Sequence, residues 1–253
     1  MIWVWIGFFY CECPAHRKEV SLTNHGWGVD LLKAERYIKS AWLNNKTPVL
    51  KTAESGWHYA RSARCKSPTY TCYFEDVPCS GTPDTPVFVL RKSIVPDVSA
   101  RVAAIDLKTP CAILHVRRSD VLLNYGWQNT SARPLYRYIS VKEYMERGRA
   151  ALQQLEIKTV FVATDSSAVI DEVKEQNHSW AYTWINRPRF KSTEGGWENH
   201  FPSQDPFEEV MHILTIRALT PICDVWLGTR SSFARYMTRP PFNGQILLVN
   251  NRN

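Results

Sequence analysis

The chain has 253 residues, 44% apolar, 22% charged and 12% aromatic, a mix that builds a folded globular protein and excludes a disordered tail or a fibrous repeat. Lys and Arg outnumber Asp and Glu by 31 to 24, a net charge of +7, which favours anionic partners: nucleic acid, phosphorylated small molecules or acidic glycans. No run of about 18 apolar residues occurs, so no membrane-spanning helix and no membrane contact is encoded.

Residues 1–10 (MIWVWIGFFY) read as a buried strand. They lack a preceding basic residue and are shorter than a signal-peptide core plus cleavage site; the abrupt apolar start also suits a longer precursor that has lost an anchor and stem. Residues 29–43 place Leu31, Ala34, Ile38 and Trp42 at helical spacing, and 47–51 read as a strand. A stretch rich in Cys, Pro and Tyr follows to about residue 84, with a turn or linker at 82–86 (TPDTP). A boundary near 96–106 divides an N-terminal lobe, 1–105, from a C-terminal lobe, 106–253. From residue 111 short apolar runs alternate with helix-period segments, the pattern of an α/β domain with parallel strands. Strands are expected at 111–116, 159–163, 181–185, 223–227 and 245–249, and helices at 141–155, 167–175, 206–219 and 231–237.

Seven cysteines (Cys11, Cys13, Cys65, Cys72, Cys79, Cys111 and Cys223) show no C-x-x-C spacing, so zinc is not expected. Cys65 to Cys79 lie among Ser, Thr, Pro and Tyr, which suits a loop closed by disulfides. Sequons at Asn45, Asn129 and Asn177 are compatible with a secretory route.

The residues that can carry chemistry cluster at strand ends. His115-Val116-Arg117-Arg118-Ser119-Asp120 ends the strand 111–116, where ligands of open α/β sheets gather. An arginine fork matches pairs of phosphate oxygens, which suits it to hold a diphosphate as that group gains negative charge; the competing reading is an internal Arg117–Asp120 pair that shapes the loop. Gly228-Thr229-Arg230-Ser231-Ser232 follows the strand 223–227 and opens a helix. Its backbone N–H groups and hydroxyls suit a phosphate cradle, or simply a helix cap by Ser231 or Thr229. Gly26-Trp27-Gly28 precedes the first helix without a G-x-G-x-x-G fingerprint. Asp165 reads as a cap of the helix beginning near Ser167, with metal ligation or a sheet-edge anchor as alternatives. Gly195 to His200 (GGWENH) carries an indole, an acid and an imidazole in one loop, suited to a sugar or to no function at all. Basic residues are scattered and do not interleave with aromatic ones, so no nucleic-acid partner is expected.

HVRRSD after an apolar strand, then ISVKEYM, TVFVATDSS and WLGTRSSFAR, in this order across 111–235, resemble the successive motifs of the α-1,6-fucosyltransferases, the group of the N-glycan core enzyme and the nodulation enzyme. HGWGVDLLKAERYIKSAWLNNKTPVLKTAESGWHYA resembles that family's glycine-containing turn, helix, strand and W-x-Y-A segment. The resemblance implies a GT-B-like α/β fold of two Rossmann-type lobes, the first shortened. It also implies metal-independent, inverting transfer of fucose from GDP-fucose to a glycan or glycoprotein, with no cofactor beyond the donor, in the secretory pathway and in the Golgi lumen where a longer precursor carries the anchor.

Position by position, the resemblance implies that Arg117 holds the β-phosphate, His115 faces the guanosine, and Ser231 and Ser232, with Thr229 and Arg118 nearby, cap the diphosphate. Tyr59 packs on guanine, Gly26 and Gly28 lie along the nucleotide, and Asp120 orients the arginine loop. The family carries a glutamate shortly after the arginine motif, where this chain reads Val121-Leu122-Leu123-Asn124-Tyr125-Gly126. Glu198 and Asp205 are therefore the candidates for the base, with Asp120 a third. Thr215 falls about where the family places a guanine-reading acid.

Overall fold

Two runs, Cys111–Val116 (β3) and Thr159–Thr164 (β4), are buried along their whole length, the His115 imidazole included, and form the middle of a parallel sheet. Val225–Thr229 (β6) pairs with the other side of β3, while Ala181–Thr183 (β5) and Gln245–Val249 (β7) close the two edges. The order β5-β4-β3-β6-β7 is that of a doubly wound α/β sheet. These features belong to a computed structural model, which describes residues 13–22, 27–52, 56–118, 138–176, 180–191 and 205–249.

The helices that cover the sheet are Val95–Ala103 (α2), Val141–Gln154 (α3), Ser167–Glu175 (α4), Pro206–Leu219 (α5) and Ser232–Met237 (α6). Ser140 starts α3 by accepting the Glu143 N–H at 3.1 Å, a side-chain oxygen meeting one of the first turn's orphan donors. Gly148 brings α3 close enough to β6 that a Cβ there would lie 2.9 Å from Leu227. One face of the sheet packs Val160, Val162 and Leu227 under α3 and α4; the other packs Ile113, Phe161 and Trp226. A disulfide between Cys111 and Cys223 ties the start of β3 to the segment entering β6.

The first half is smaller. Arg17–Ser21 (β1) and Thr47–Lys51 (β2) pair in parallel, joined by the 17-residue helix Trp27–Leu43 (α1). Its core is aromatic: Trp27 stacks on Trp57 at 5.0 Å, and Tyr59, Tyr73 and Phe74 enclose the pair. Cys65–Cys72 and Cys13–Cys79 bridge the irregular stretch beyond β2. The start of α5 joins this first-half core through Phe207, Val210, Met211 and Leu214, so one helix serves both halves.

The α/β expectation is met, and most expected elements lie within two residues of those observed. Two elements differ. β1 has the sequence RKEVS, in which only Val20 is buried, so it carries no apolar alternation. The expected boundary at 96–106 is largely occupied by α2, whose Val98 and Val102 lie on one helical face toward the core. The expected strand at 1–10 lies outside the described residues.

Candidate functional site

The strand order reverses between β3 and β6: the strands that follow β3 build toward one edge and the strand that follows β6 builds toward the other. A crevice at the carboxyl ends of two such strands is the ligand position of open α/β sheets. His115 is in register with Gly228, so Arg117 and Arg230 leave the sheet at the same level. The two expected anion-binding segments, one after each strand, therefore meet at the switch point. A Cβ on Gly228 would lie 2.9 Å from the His115 carbonyl oxygen, a close approach that only glycine permits.

The first half reaches this same place. A Cβ on Gly28 would lie 2.8 Å from backbone atoms of Ser232 and Phe233, so the first turn of α1 rests directly on the first turn of α6. Gly28 thus permits a helix-to-helix contact beside the switch point. The seam between the two halves adjoins the crevice.

His115 ends inside protein rather than at an open surface. It is 6% exposed, stacked on Phe233 at 5.0 Å and tilted against Trp226 at 5.4 Å. Burial, reinforced by the nearby Arg117 charge, pushes its imidazole down to about 3, so it is neutral at physiological pH. It can shape the crevice wall but supplies no charge to a phosphate.

The two neighbouring arginines have different environments. Arg118 is 3% exposed and grips Glu172 with two donors: Nη1 donates to Oε1, and Nη2 donates to Oε2 at 2.9 Å. Nη2 also donates to the Ile139 carbonyl at 2.8 Å, and the guanidinium lies over the Tyr138 ring at 4.3 Å. Burial alone would raise the Glu172 carboxyl, but hydrogen bonds from Arg118, Tyr138 and the Val141 N–H, with the Arg118 charge, hold it below the ordinary carboxylate range. Arg118 is thus a corrected expectation: it belongs to an internal clamp that joins the end of β3 to α4 and the start of α3, and both of its Nη groups are already engaged. Arg117 is half-buried just past β3, and its charge is felt at His115.

Three other expectations change. Tyr59 is 3% exposed; its hydroxyl accepts the Trp27 N–H at 2.7 Å, and its ring packs edge-on to Trp27 and Trp57. It caps the start of α1 from within the core and is not presented to a base. Asp205 caps α5, accepting the Phe207 N–H at 2.9 Å and the Ser62 hydroxyl at 2.8 Å, with Arg64 at 2.8 Å. A carboxylate so engaged is a poor candidate for a base. Asp165 does not cap α4; it accepts the Arg118 N–H at 3.2 Å and so steadies the arginine segment from the end of β4.

Ser231 follows the capping alternative, accepting the Ala234 N–H at 3.0 Å. Ser232 is half-buried at the first position of the six-residue α6, and Thr229 is buried at the end of β6. Thr215 donates its hydroxyl to the Met211 carbonyl at 2.7 Å inside α5 and reads nothing outside it. On the same helix Glu209, 5% exposed, pairs with Arg187, whose Nη2 reaches the Thr164 carbonyl at 3.4 Å at the end of β4. Sequence reasoning missed both Glu172 and Glu209, and neither sits in a motif that would have signalled it. Gly26, Asp120 and Glu198, with the whole GGWENH loop, lie outside the described residues. Among the described residues no group of His, Cys, Asp and Glu is arranged to hold a metal ion, and no helix is long and apolar enough to cross a membrane.

No family model matches the chain, and no curated protein matches it. Among solved structures it is similar to NodZ α-1,6-fucosyltransferase soaked with GDP-fucose, at 13% identity and a TM-score of 0.47, covering 87% of this chain and 89% of that one. It is similar to POFUT1 in complex with GDP-fucose, at 13% identity and a TM-score of 0.42, covering 89% of this chain and 61% of that one. POFUT1 in complex with GDP gives 14% identity and a TM-score of 0.39, with 68% of this chain and 52% of that chain covered. In that comparison the chain spans about half the length of its neighbour.

Proposed function

We propose that this chain is a GT-B-like, inverting fucosyltransferase of the α-1,6 type that moves fucose from GDP-fucose to a glycan hydroxyl without a metal ion. One observation carries the reading: Arg117 leaves β3 at the switch point, level with the segment after β6 and beside the seam where α1 rests on α6. The motif resemblance across 111–235 supports it independently.

In this reading the bond between fucose C1 and the β-phosphate oxygen breaks, its electron pair stays on GDP, and the acceptor hydroxyl adds to C1 from the opposite face while losing its proton to a base. Negative charge grows on the diphosphate as positive charge grows on the sugar. A fixed guanidinium at the diphosphate binds the transition state more strongly than the ground state, which is what raises the rate. Asp165, the Arg118 clamp and the enclosed His115 ring are the groups that hold the Arg117 segment in place. The three disulfides suit a secretory-pathway location.

The test is a pair of measurements. GDP and GDP-fucose raise the melting temperature of the native chain, and Arg117→Ala lowers fucose transfer to a glycan panel by about a hundredfold or more. Absence of any shift with either nucleotide overturns the reading. A second reading, a GDP-sugar-binding homologue without turnover, is favoured by the engagement of Asp205 as a helix cap. It is the outcome if GDP protects the fold and no glycan accepts fucose.

A further inference from the structure

Along the side of α1 and α6 runs a groove of about 470 Å3 whose charged lining comes from Glu35, Arg36 and Lys39 on α1, Arg235 on α6 and Arg239 just beyond it. Four cations share one carboxylate. Glu35 is bonded to Lys39 at 3.0 Å and to Arg239, whereas among the described residues neither the Arg36 nor the Arg235 guanidinium, both exposed, has an ion-pair partner. Assembling like charges on one surface is unfavourable by itself and becomes favourable when an anion joins them.

The shape and chemistry of the lining narrow the choice of anion. Guanidinium forks pair with sulfate, phosphate and carboxylate oxygens in bidentate fashion. Among the described residues no aromatic ring lines the groove, so they offer no stacking platform for nucleic-acid bases. Leu32 and Pro83 give it an apolar wall suited to the C–H side of a sugar ring. The disulfides suit a chain that folds in an oxidising compartment, where the abundant polyanions are acidic glycans. We infer that this groove binds an acidic glycan, gripping sulfate or carboxylate groups with Arg36 and Arg235 while Glu35 holds Lys39 and Arg239 in position. The inference is independent of the transfer reading, since it concerns a different surface and needs no nucleotide.

The test is calorimetric titration of the full chain with a heparin-type hexasaccharide and with its desulfated counterpart, at low and at raised salt. The sulfated sugar binds, the desulfated one does not, and affinity falls as salt rises. The double variant Arg36→Ala/Arg235→Ala weakens binding at least about tenfold, with its melting temperature and any GDP-induced shift unchanged, because both side chains are exposed. No binding by the sulfated sugar, or binding indifferent to the double variant, overturns the inference. So does a single-stranded oligonucleotide of equal charge that binds more tightly and is lost in the same variant. A failure of GDP to shift the melting temperature bears on the transfer reading alone.

Discussion

Removing the charge from one side of the Arg118–Glu172 clamp gives the sharpest test of how the arginine segment is held. In Glu172→Gln the Arg118 guanidinium, 3% exposed, keeps its acceptor at Ile139 and its contact with the Tyr138 ring but loses the carboxylate that neutralises it. Breaking a buried pair from one side costs about 3–5 kcal/mol, because the remaining charge stays desolvated. That is a large share of the roughly 5–15 kcal/mol that holds a domain together. At about 2–4 °C per kcal/mol for a chain of this size, the melting temperature falls by about 6–20 °C. Arg118→Met costs less, because Glu172 is partly exposed and keeps the Tyr138 hydroxyl and the Val141 N–H as donors, and the double variant costs much less than the sum, since no desolvated charge then remains. Thermal and chemical denaturation of the four proteins measures this cycle. Additive single-variant costs, or a Glu172→Gln midpoint within about 2 °C of the native chain, refute the clamp. The same variant weakens GDP binding if Arg117 depends on its neighbour for position.

Asp205→Asn retains transfer within a few-fold, because Asn caps a helix nearly as well as Asp; a loss of a thousandfold would reinstate Asp205 as the base. Gly28→Ala forces α1 away from α6, since its Cβ would meet backbone and not a movable side chain, and costs about 1–3 kcal/mol in denaturant unfolding. An unchanged midpoint would show that the seam is loose. On acidification, His58, His115 and His212, pushed by burial to about 4, 3 and 4 from 6.5, bind fewer protons folded than unfolded. Stability therefore falls as pH drops through about 6.5 toward 4. Glu172, held low, stays ionised through the upper part of that interval and adds little to the slope there. His115→Gln flattens the fall in melting temperature between about pH 7 and pH 5, and an equal slope would mean that the ring is charged when folded.

The extent to which the sequence announces this arrangement follows from where each signal is written. β3, β4 and β6 are buried on both faces, so their apolar runs stand out whatever surrounds them. β1 buries only Val20 and so has no face for a pattern to reveal, whereas α2 does carry Val98 and Val102 on one helical face, next to the turn signals that suggest a boundary. At the site, sequence reasoning identifies a pair of arginines at a strand end but cannot say which one turns inward, because successive residues leave a strand in opposite directions and the two side chains are identical. The choice is made by Glu172, 54 residues away on another element. Asp205 was legible in a different way: an acid followed by Pro206 and then Glu208 and Glu209 is the signature of a capped helix start. That local rule outweighs the attraction of a carboxylate near a polar loop.

Gly28 shows why the crevice itself could not be read from either half. Its glycine is required by the backbone of Ser232 and Phe233, more than 200 residues along the chain, so its meaning exists only once the halves are docked. The consequence reaches function. The α1–α6 contact lies beside the switch point, where the β3 and β6 segments end together, so any ligand held by Arg117 sits near groups from both halves. Small relative movement of α1 and α6 then changes the ligand's surroundings directly. A nucleotide bound there stabilises the docked arrangement by mass action, which is why a melting shift with GDP, and its loss on replacing Gly28, are two readings of one contact.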